Sequence, residues 1–288
     1  MKNKKYILAF VAMALVATVA VGYKVLVADR NKSVLDTRWA ASVESNPEVF
    51  DHSDWQTILD DYLVSDTDSG VNLFDYSGLI DDGREILDQY IDAMTSIDPL
   101  LFNRAEQKAY WINLYNAVTV AVILNNYPLV SITDIGGKVG SFGPWDNDAV
   151  ELNGITLSLN DIEHRIIRPL YNDYRIHFAV NCASIGCPNL AVQAFTSDNM
   201  EQLLDSAAAE YVGHPRGVSV NGSQLQLSSL FEWYASDFGS NQKQLLETLS
   251  EHADPETKNA LLEFSGDPDY FYDWSLNGYC SIDNECGS

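Results

Sequence analysis

Positive charge is scarce in this chain of 288 residues: 17 lysines and arginines stand against 41 aspartates and glutamates, a formal charge of −24. A surface that acidic repels a phosphate backbone, and no basic patch offsets it, so nucleic-acid binding is excluded as a function class. Cysteines number only four. None falls in a Cys-x-x-Cys pair and there is no His-Glu-x-x-His, so the usual paired signatures of a zinc site are missing. Nothing in the sequence calls for a cofactor. No repeat recurs at a fixed period and no low-complexity tract interrupts the chain, which excludes solenoid arrays. What is plentiful is core material: 46% of residues are hydrophobic and 11% aromatic, enough to exclude wholesale disorder.

The first residues read as a targeting segment. Lys2, Lys4 and Lys5 precede an uncharged apolar run from Tyr6 to Tyr23. Such a pattern makes residues 1–28 a signal peptide or a single membrane anchor, and small residues at Thr18-Val19-Ala20 and Leu26-Val27-Ala28 suit a signal peptidase. Removing 1–28 takes away Lys2, Lys4, Lys5 and Lys24 and no acid, leaving the remainder still more negative. The expectation is a periplasmic or secreted protein, touching a membrane through its N-terminal segment only, with disulfides permitted.

Residues 29–48 lack an apolar stripe and read as a linker or peripheral helix. Apolar density then stays high over 49–264, as in one compact domain, and 265–288 reads as a C-terminal tail. Helical periodicity marks four segments. Residues 55–64 place Trp55, Ile58, Leu59 and Tyr62 on one face, and 82–94 do the same with Ile86, Leu87, Tyr90 and Ile91. Residues 103–126 are apolar nearly all round, which predicts a central buried helix ended by Pro128. Residues 197–212 begin at Ser197, a good N-cap, and repeat Leu203, Leu204, Ala207 and Ala208. Two Asn-Gly turns, Asn153-Gly154 and Asn221-Gly222, sit between alternating segments and predict hairpins over 149–157 and 217–227. Residues 175–180 read as a short apolar strand. Helices separating isolated hairpins point to an α+β domain, a central buried helix on a small antiparallel sheet.

Reactive side chains concentrate between Asp161 and Pro188: Glu163, His164, His177, Cys182 and Cys187. Three chemistries use such residues. In thiol catalysis Cys187 or Cys182 is the nucleophile, His177 its base and Glu163 the carboxylate that fixes the imidazole. Cys187 precedes Pro188, as at the start of a helical turn, which would favour its thiolate. In metal binding all five are zinc ligands. In a purely structural role Cys182 pairs with Cys187 and His177 sits in the core. Cys280 and Cys286 flank a polar segment and are expected to pin the tail with a disulfide.

In the central helix, Asn113 and Asn116 lie at i and i+3 on one face of an apolar surface, where buried amides must find partners. They are either substrate-binding groups or ties from helix to loop. His164 and Asn181 join them as candidate substrate contacts, for an unidentified small molecule or peptide.

Several motifs together resemble one family. They are Phe74-Asp75-Tyr76, the run Ala109 to Ala117, Ile162-Glu163-His164, the run Arg175 to Ser184, Cys187-Pro188 and the run Phe231 to Phe238. In this order they resemble the domain of unknown function 547 family, over about Val49 to Phe238. The family occurs in exported bacterial proteins and as the C-terminal part of plant proteins. Its spread into a reducing cytosol implies a role for Cys182 and Cys187 beyond a structural disulfide. The layout is also similar to papain or transglutaminase-like folds, whose nucleophile starts the central helix, where this chain has no cysteine near Asn103 to Asn113. The resemblance and the reactive cluster together imply a cysteine-dependent hydrolase or acyl-transferase acting on an amide of a peptide or cell-wall fragment. The alternative is a non-enzymatic binding module of the cell envelope, or a zinc-binding protein.

Overall fold

The computed structural model describes residues 32–138 and 142–279. The chain divides into two units, Met1–Ser33 and Val34–Ser288, and every helix and strand named below belongs to the second. The expected leader over 1–28 and the expected Cys280–Cys286 disulfide lie outside the described residues. No helix among the described residues is long and apolar enough to cross a membrane.

Helix α1, Ser53–Tyr62, buries Trp55, Ile58 and Leu59 and runs into strand β1, Leu63–Val64, which pairs antiparallel with β2, Leu73–Phe74. Helix α2, Arg84–Ser96, buries Leu87, Tyr90 and Met94. Helix α3, Arg104–Leu124, is the expected central helix. The Asn103 side chain caps it by accepting from the Glu106 N–H at 3.0 Å. It is buried on every side, because its sequence offers no polar stripe. Each side chain such as Ile112 or Leu114, wholly buried here, contributes about 1.5–3 kcal/mol. Its main packing partners are α2 and a π-helical stretch, Asp161–Ile167.

Both Asn-Gly hairpins form. Strands β3, Val150–Leu152, and β4, Ile155–Leu157, join through Asn153 and Gly154 at φ 52° and 72°, the left-handed pair that such a two-residue turn requires. After helix α4, Met200–Gly213, strands β5, Val218–Asn221, and β6, Gln224–Ser228, form the second hairpin. Beyond helices α5, Gln242–Ser250, and α6, Pro255–Glu263, strand β7, Asp269–Phe271, adds to β6 in parallel. The α+β single-domain expectation is borne out, and among the described residues the strands spread over three small sheets.

Three local expectations are corrected. Residues 175–180 form no strand: Tyr174–Phe178 is a 3-10 helix, started by the Asp173 carboxylate accepting from the Arg175 N–H at 3.0 Å. A short apolar run buried on all sides has the same composition in either conformation. Pro188 begins no helix; its carbonyl instead accepts from Asn181 Nδ2 at 2.8 Å. Helix α4 starts at Met200 rather than near Ser197, because Thr196 and Asn199 close a reciprocal turn in between.

Segments read as peripheral are built into the fold. Trp39 is 1% exposed and packs edge-on against Trp111 of α3. Beyond β7, Asn277 is buried, accepts from the Tyr76 hydroxyl at 2.8 Å and gives its carbonyl to the Phe74 N–H. Among the described residues two apolar cores result, one around α3 and one around Tyr211, Phe231, Phe238 and Leu249. The segment leading to the cysteines joins them, with Phe178 in the second and Ala179, Val180 and Ala183 in the first.

Candidate functional site: a thiol pair on a strapped loop

The loop 181–188 is held from the central helix. Asn116 Nδ2 donates to the Ala179 carbonyl at 2.9 Å, and its Oδ1 accepts from the Asn181 N–H at 2.8 Å. Asn113 makes the equivalent pair with Phe195, at 2.7 and 3.0 Å. The two amides, one turn apart on α3, therefore grip the segment at both ends. Asn181 closes the loop on itself, accepting from the Ala183 N–H at 2.8 Å while donating to Pro188. Ala183 sits at φ 57°, a left-handed conformation that costs an alanine about 1 kcal/mol or more and persists only because its surroundings fix it.

From the other side the C-terminal segment straps the loop down. Ile185 N–H donates to the Ser275 carbonyl and Gly186 N–H to the Asp273 carbonyl, both at 2.8 Å. A Cβ at Gly186 would lie 2.8 Å from the Asp273 backbone nitrogen and oxygen, so only glycine permits this approach.

The strapping brings four groups together. Cys182 Sγ lies 2.8 Å from Cys187 Sγ, 2.9 Å from the Tyr272 hydroxyl and 3.3 Å from Ser184 Oγ. Ser184 in turn donates to the Tyr272 hydroxyl at 3.1 Å. The Cys182 N–H donates to Cys187 Sγ at 2.9 Å. Both thiols are free; Cys187 is buried, whereas Cys182 keeps partial exposure.

Electrostatically the two sulfurs are split. Burial works against a thiolate at Cys182, but its contacts with Cys187, Ser184 and Tyr272 outweigh it and hold the thiol below its ordinary range. Burial and the neighbouring Cys182 sulfur push the Cys187 thiol well up. One sulfur is thus poised as a nucleophile, while its neighbour is held as the protonated thiol.

His177, Glu163 and His164 assemble a second group. His177 Nε2 bonds to Asp237 Oδ2 at 2.7 Å, and its Nδ1 faces Glu163 Oε1 at 3.9 Å. Arg168 grips Asp237 in a two-pronged contact, Nε to Oδ2 at 2.7 Å and a terminal nitrogen to Oδ1 at 2.9 Å. Another Arg168 nitrogen meets His164 Nδ1 at 3.1 Å. Tyr115 donates to Glu163 Oε2 at 3.1 Å, and Tyr234 stacks on the His177 ring with centroids 4.1 Å apart. Burial alone would raise the Asp237 carboxyl, but its bonds to His177 and Arg168 leave it well below the usual carboxylate range. Burial depresses His164. This cluster is a buried ionic network in which Asp237, Arg168 and His177 are tied by hydrogen bonds, while Glu163 Oε1 faces the His164 and His177 rings at 3.6 and 3.9 Å without a hydrogen bond of its own.

Of the residues singled out from sequence, Cys182 and Cys187 therefore meet each other, and Glu163, His164 and His177 meet each other. Both nitrogens of His177 are turned to carboxylates, and no hydrogen bond among the described residues joins it to a thiol. The two groups act on each other through space, where the Glu163 charge opposes ionisation of Cys182. Asn113, Asn116 and Asn181 spend their amides on backbone ties. Among the described residues, no group of three or more His, Cys, Asp or Glu side chains is placed to hold a metal ion. Sequence reasoning missed Tyr272, Ser184 and Asp237. The signal for Tyr272 was the run Tyr270-Phe271-Tyr272-Asp273-Trp274, too aromatic for a free tail.

Fold and site define a class: an α+β domain whose buried central helix carries a strapped loop with two adjacent thiols. Residues 99–212 match the model of the family described as "Protein of unknown function, DUF547". That match spans α3, the ionic residues Glu163 to His177, the thiol loop and α4 as far as Val212, and it bears out the resemblance read from the motifs. No curated protein and no solved structure matches the chain.

Proposed function

We propose that the protein is a thiol–disulfide oxidoreductase in which Cys182 is the attacking sulfur and Cys187 the resolving one. The observation that carries this reading is the contact of the two sulfurs at 2.8 Å with opposite shifts in acidity. The Cys182 thiolate attacks one sulfur of a substrate disulfide. The S–S bond breaks, the departing sulfur takes up a proton, and a mixed disulfide forms. Cys187 then gives up its proton, attacks Cys182 Sγ and expels the second substrate thiolate. The balance is one substrate disulfide reduced to two thiols and one Cys182–Cys187 disulfide formed; the reverse sequence oxidises a substrate dithiol. Exchange of this kind needs a thiolate and access but no imidazole base, which suits a site whose histidine is committed to Asp237 and Glu163. The Cys182 N–H, 2.9 Å from Cys187 Sγ, steadies the charge that passes to the resolving sulfur.

Acyl transfer at Cys182 is the second reading, favoured by the Ser184–Tyr272 hydroxyl pair beside the sulfur, which can hand a proton to a leaving amine. The Cys187→Ser variant separates the two. Under exchange it stops at a mixed disulfide that mass spectrometry locates on Cys182, and turnover of a model disulfide such as oxidised dithiothreitol ceases. Under acyl transfer it keeps full amidase or transferase turnover on a screened substrate, and that result overturns the proposal.

A further inference from the structure

Three tryptophans, a tyrosine and a phenylalanine form a continuous wall that ends at the nucleophile. Tyr272, whose hydroxyl touches Cys182 Sγ, packs on Trp274 with ring centroids 4.6 Å apart and on Trp233 at 4.8 Å. Trp233 and Trp274 stack at 5.4 Å with 24° between their planes. Trp274 meets Trp145 edge-on at 5.6 Å and Phe142 at 5.5 Å. Trp145, Trp233, Tyr272 and Trp274 are half-buried, and Phe142 at the far end is 52% exposed. A continuous aromatic strip that is only partly covered and ends in an exposed ring, beside a reactive sulfur, is the kind of apolar surface a binding site presents.

Resting on the oxidoreductase reading, we infer that this wall is the substrate-docking surface and that its occupant is an extended polypeptide carrying its cysteine or disulfide beside aromatic or branched aliphatic residues. Two observations select that occupant. The wall is continuous with the sulfur through Tyr272, so a partner sulfur that reaches Cys182 brings its sequence neighbours onto Trp274 and Trp145. The chain carries a formal charge of −24, which disfavours small anionic disulfides such as oxidised glutathione and favours neutral or basic segments.

The test compares exchange rates of the reduced full-length protein with three probes: a peptide disulfide flanked by Phe, Leu and Lys, the same peptide with Ser and Ala flanks, and oxidised glutathione. The expected result is about tenfold or greater preference for the first over either other. Phe142→Ala and Trp274→Ala shrink that preference, whereas Leu262→Ala, exposed on α6, leaves it intact. Phe142 is exposed enough that its truncation leaves the fold standing should Trp274→Ala misfold. Equal rates for both peptides and glutathione, with exchange still running, overturn the wall as a docking surface. Sedimentation of the wild type as a dimer that Phe142→Ala dissociates also overturns it, by giving the wall to a second copy. Absence of exchange with every probe is a different result, and refutes the oxidoreductase reading itself.

Discussion

The Tyr272→Phe variant isolates one atom of the site. The ring stays against Trp274 and Trp233, and only the hydroxyl 2.9 Å from Cys182 Sγ is lost. A hydrogen bond to a charged acceptor is worth about 1.5–3 kcal/mol, and about 1.36 kcal/mol is one pH unit. Ser184 Oγ, 3.3 Å from the sulfur and no longer engaged by Tyr272, takes up part of the loss. The single variant is therefore expected to move the alkylation midpoint of Cys182 up by about one pH unit, and Tyr272→Phe with Ser184→Ala by about two. At a fixed pH below both midpoints, a tenfold fall in thiolate is partly offset because the more basic thiolate is the better nucleophile. With a Brønsted slope of about 0.4–0.5, the rate falls about threefold. The assay is iodoacetamide labelling of the reduced protein across pH, read on Cys182 by peptide mass. An unchanged or lowered midpoint in the double variant refutes the claim that these hydroxyls hold the thiolate.

Other outcomes follow from the same contacts. Asp237→Asn takes the carboxylate from Arg168 and His177 and is expected to lower stability at neutral pH by about 2–3 kcal/mol, judged by urea unfolding. Because the folded Asp237 carboxyl is depressed, its contribution is complete above the unfolded carboxyl value of about 4. It is lost as pH falls through the lower folded value, so wild type and variant converge in acid; a constant gap would refute the assignment. Burial lowers His52 to about 4 from 6.5, so the unfolded state binds the extra proton between those values. Stability should therefore drop by about 3 kcal/mol as pH falls from 6.5 to 4, and His52→Asn, whose amide still meets the Tyr90 hydroxyl, should flatten that slope. Gly186→Ala pushes a methyl into the Asp273 backbone and is expected to lower the melting temperature and slow exchange together, at a cost of about 1–3 kcal/mol. Asn116→Ala strips the Ala179 carbonyl and Asn181 N–H of their buried partner, at about 2–4 kcal/mol, and should loosen the loop enough to raise hydrogen exchange at Asn181.

Local patterns are legible in the sequence and distant convergence is not. The apolar surface of 104–124 forces burial whatever surrounds it, and Asn153-Gly154 dictates its turn within two residues. The pairing of Cys182 with Cys187 spans five positions, close enough for spacing alone to suggest it. Tyr272 reaches the sulfur across 90 positions, through a strap whose backbone bonds leave no trace in composition. His177 illustrates the same limit. Its proximity in sequence to Cys182 suggests a base for the thiol, but the carboxylates of Asp237 and Glu163 attract the imidazole more strongly than a weakly polar thiol does. Asp237 lies within the motif Phe231 to Phe238, yet only folding shows that it closes the network. The 3-10 helix at Tyr174–Phe178 reads as a strand from sequence because both conformations place an apolar run in the core.

The central claim, that Cys182 and Cys187 interconvert between dithiol and disulfide, is tested most directly by a redox titration read on tryptic peptides. No lysine or arginine lies between Arg175 and Arg216, so both cysteines fall in one peptide, while Cys280 and Cys286 fall in another beyond Lys258. Equilibrated against graded mixtures of reduced and oxidised dithiothreitol, the first peptide should lose the mass of two hydrogens in a single reversible transition that recovers fully on reduction. A peptide that stays dithiol throughout, or a disulfide that no mixture opens, would contradict the account.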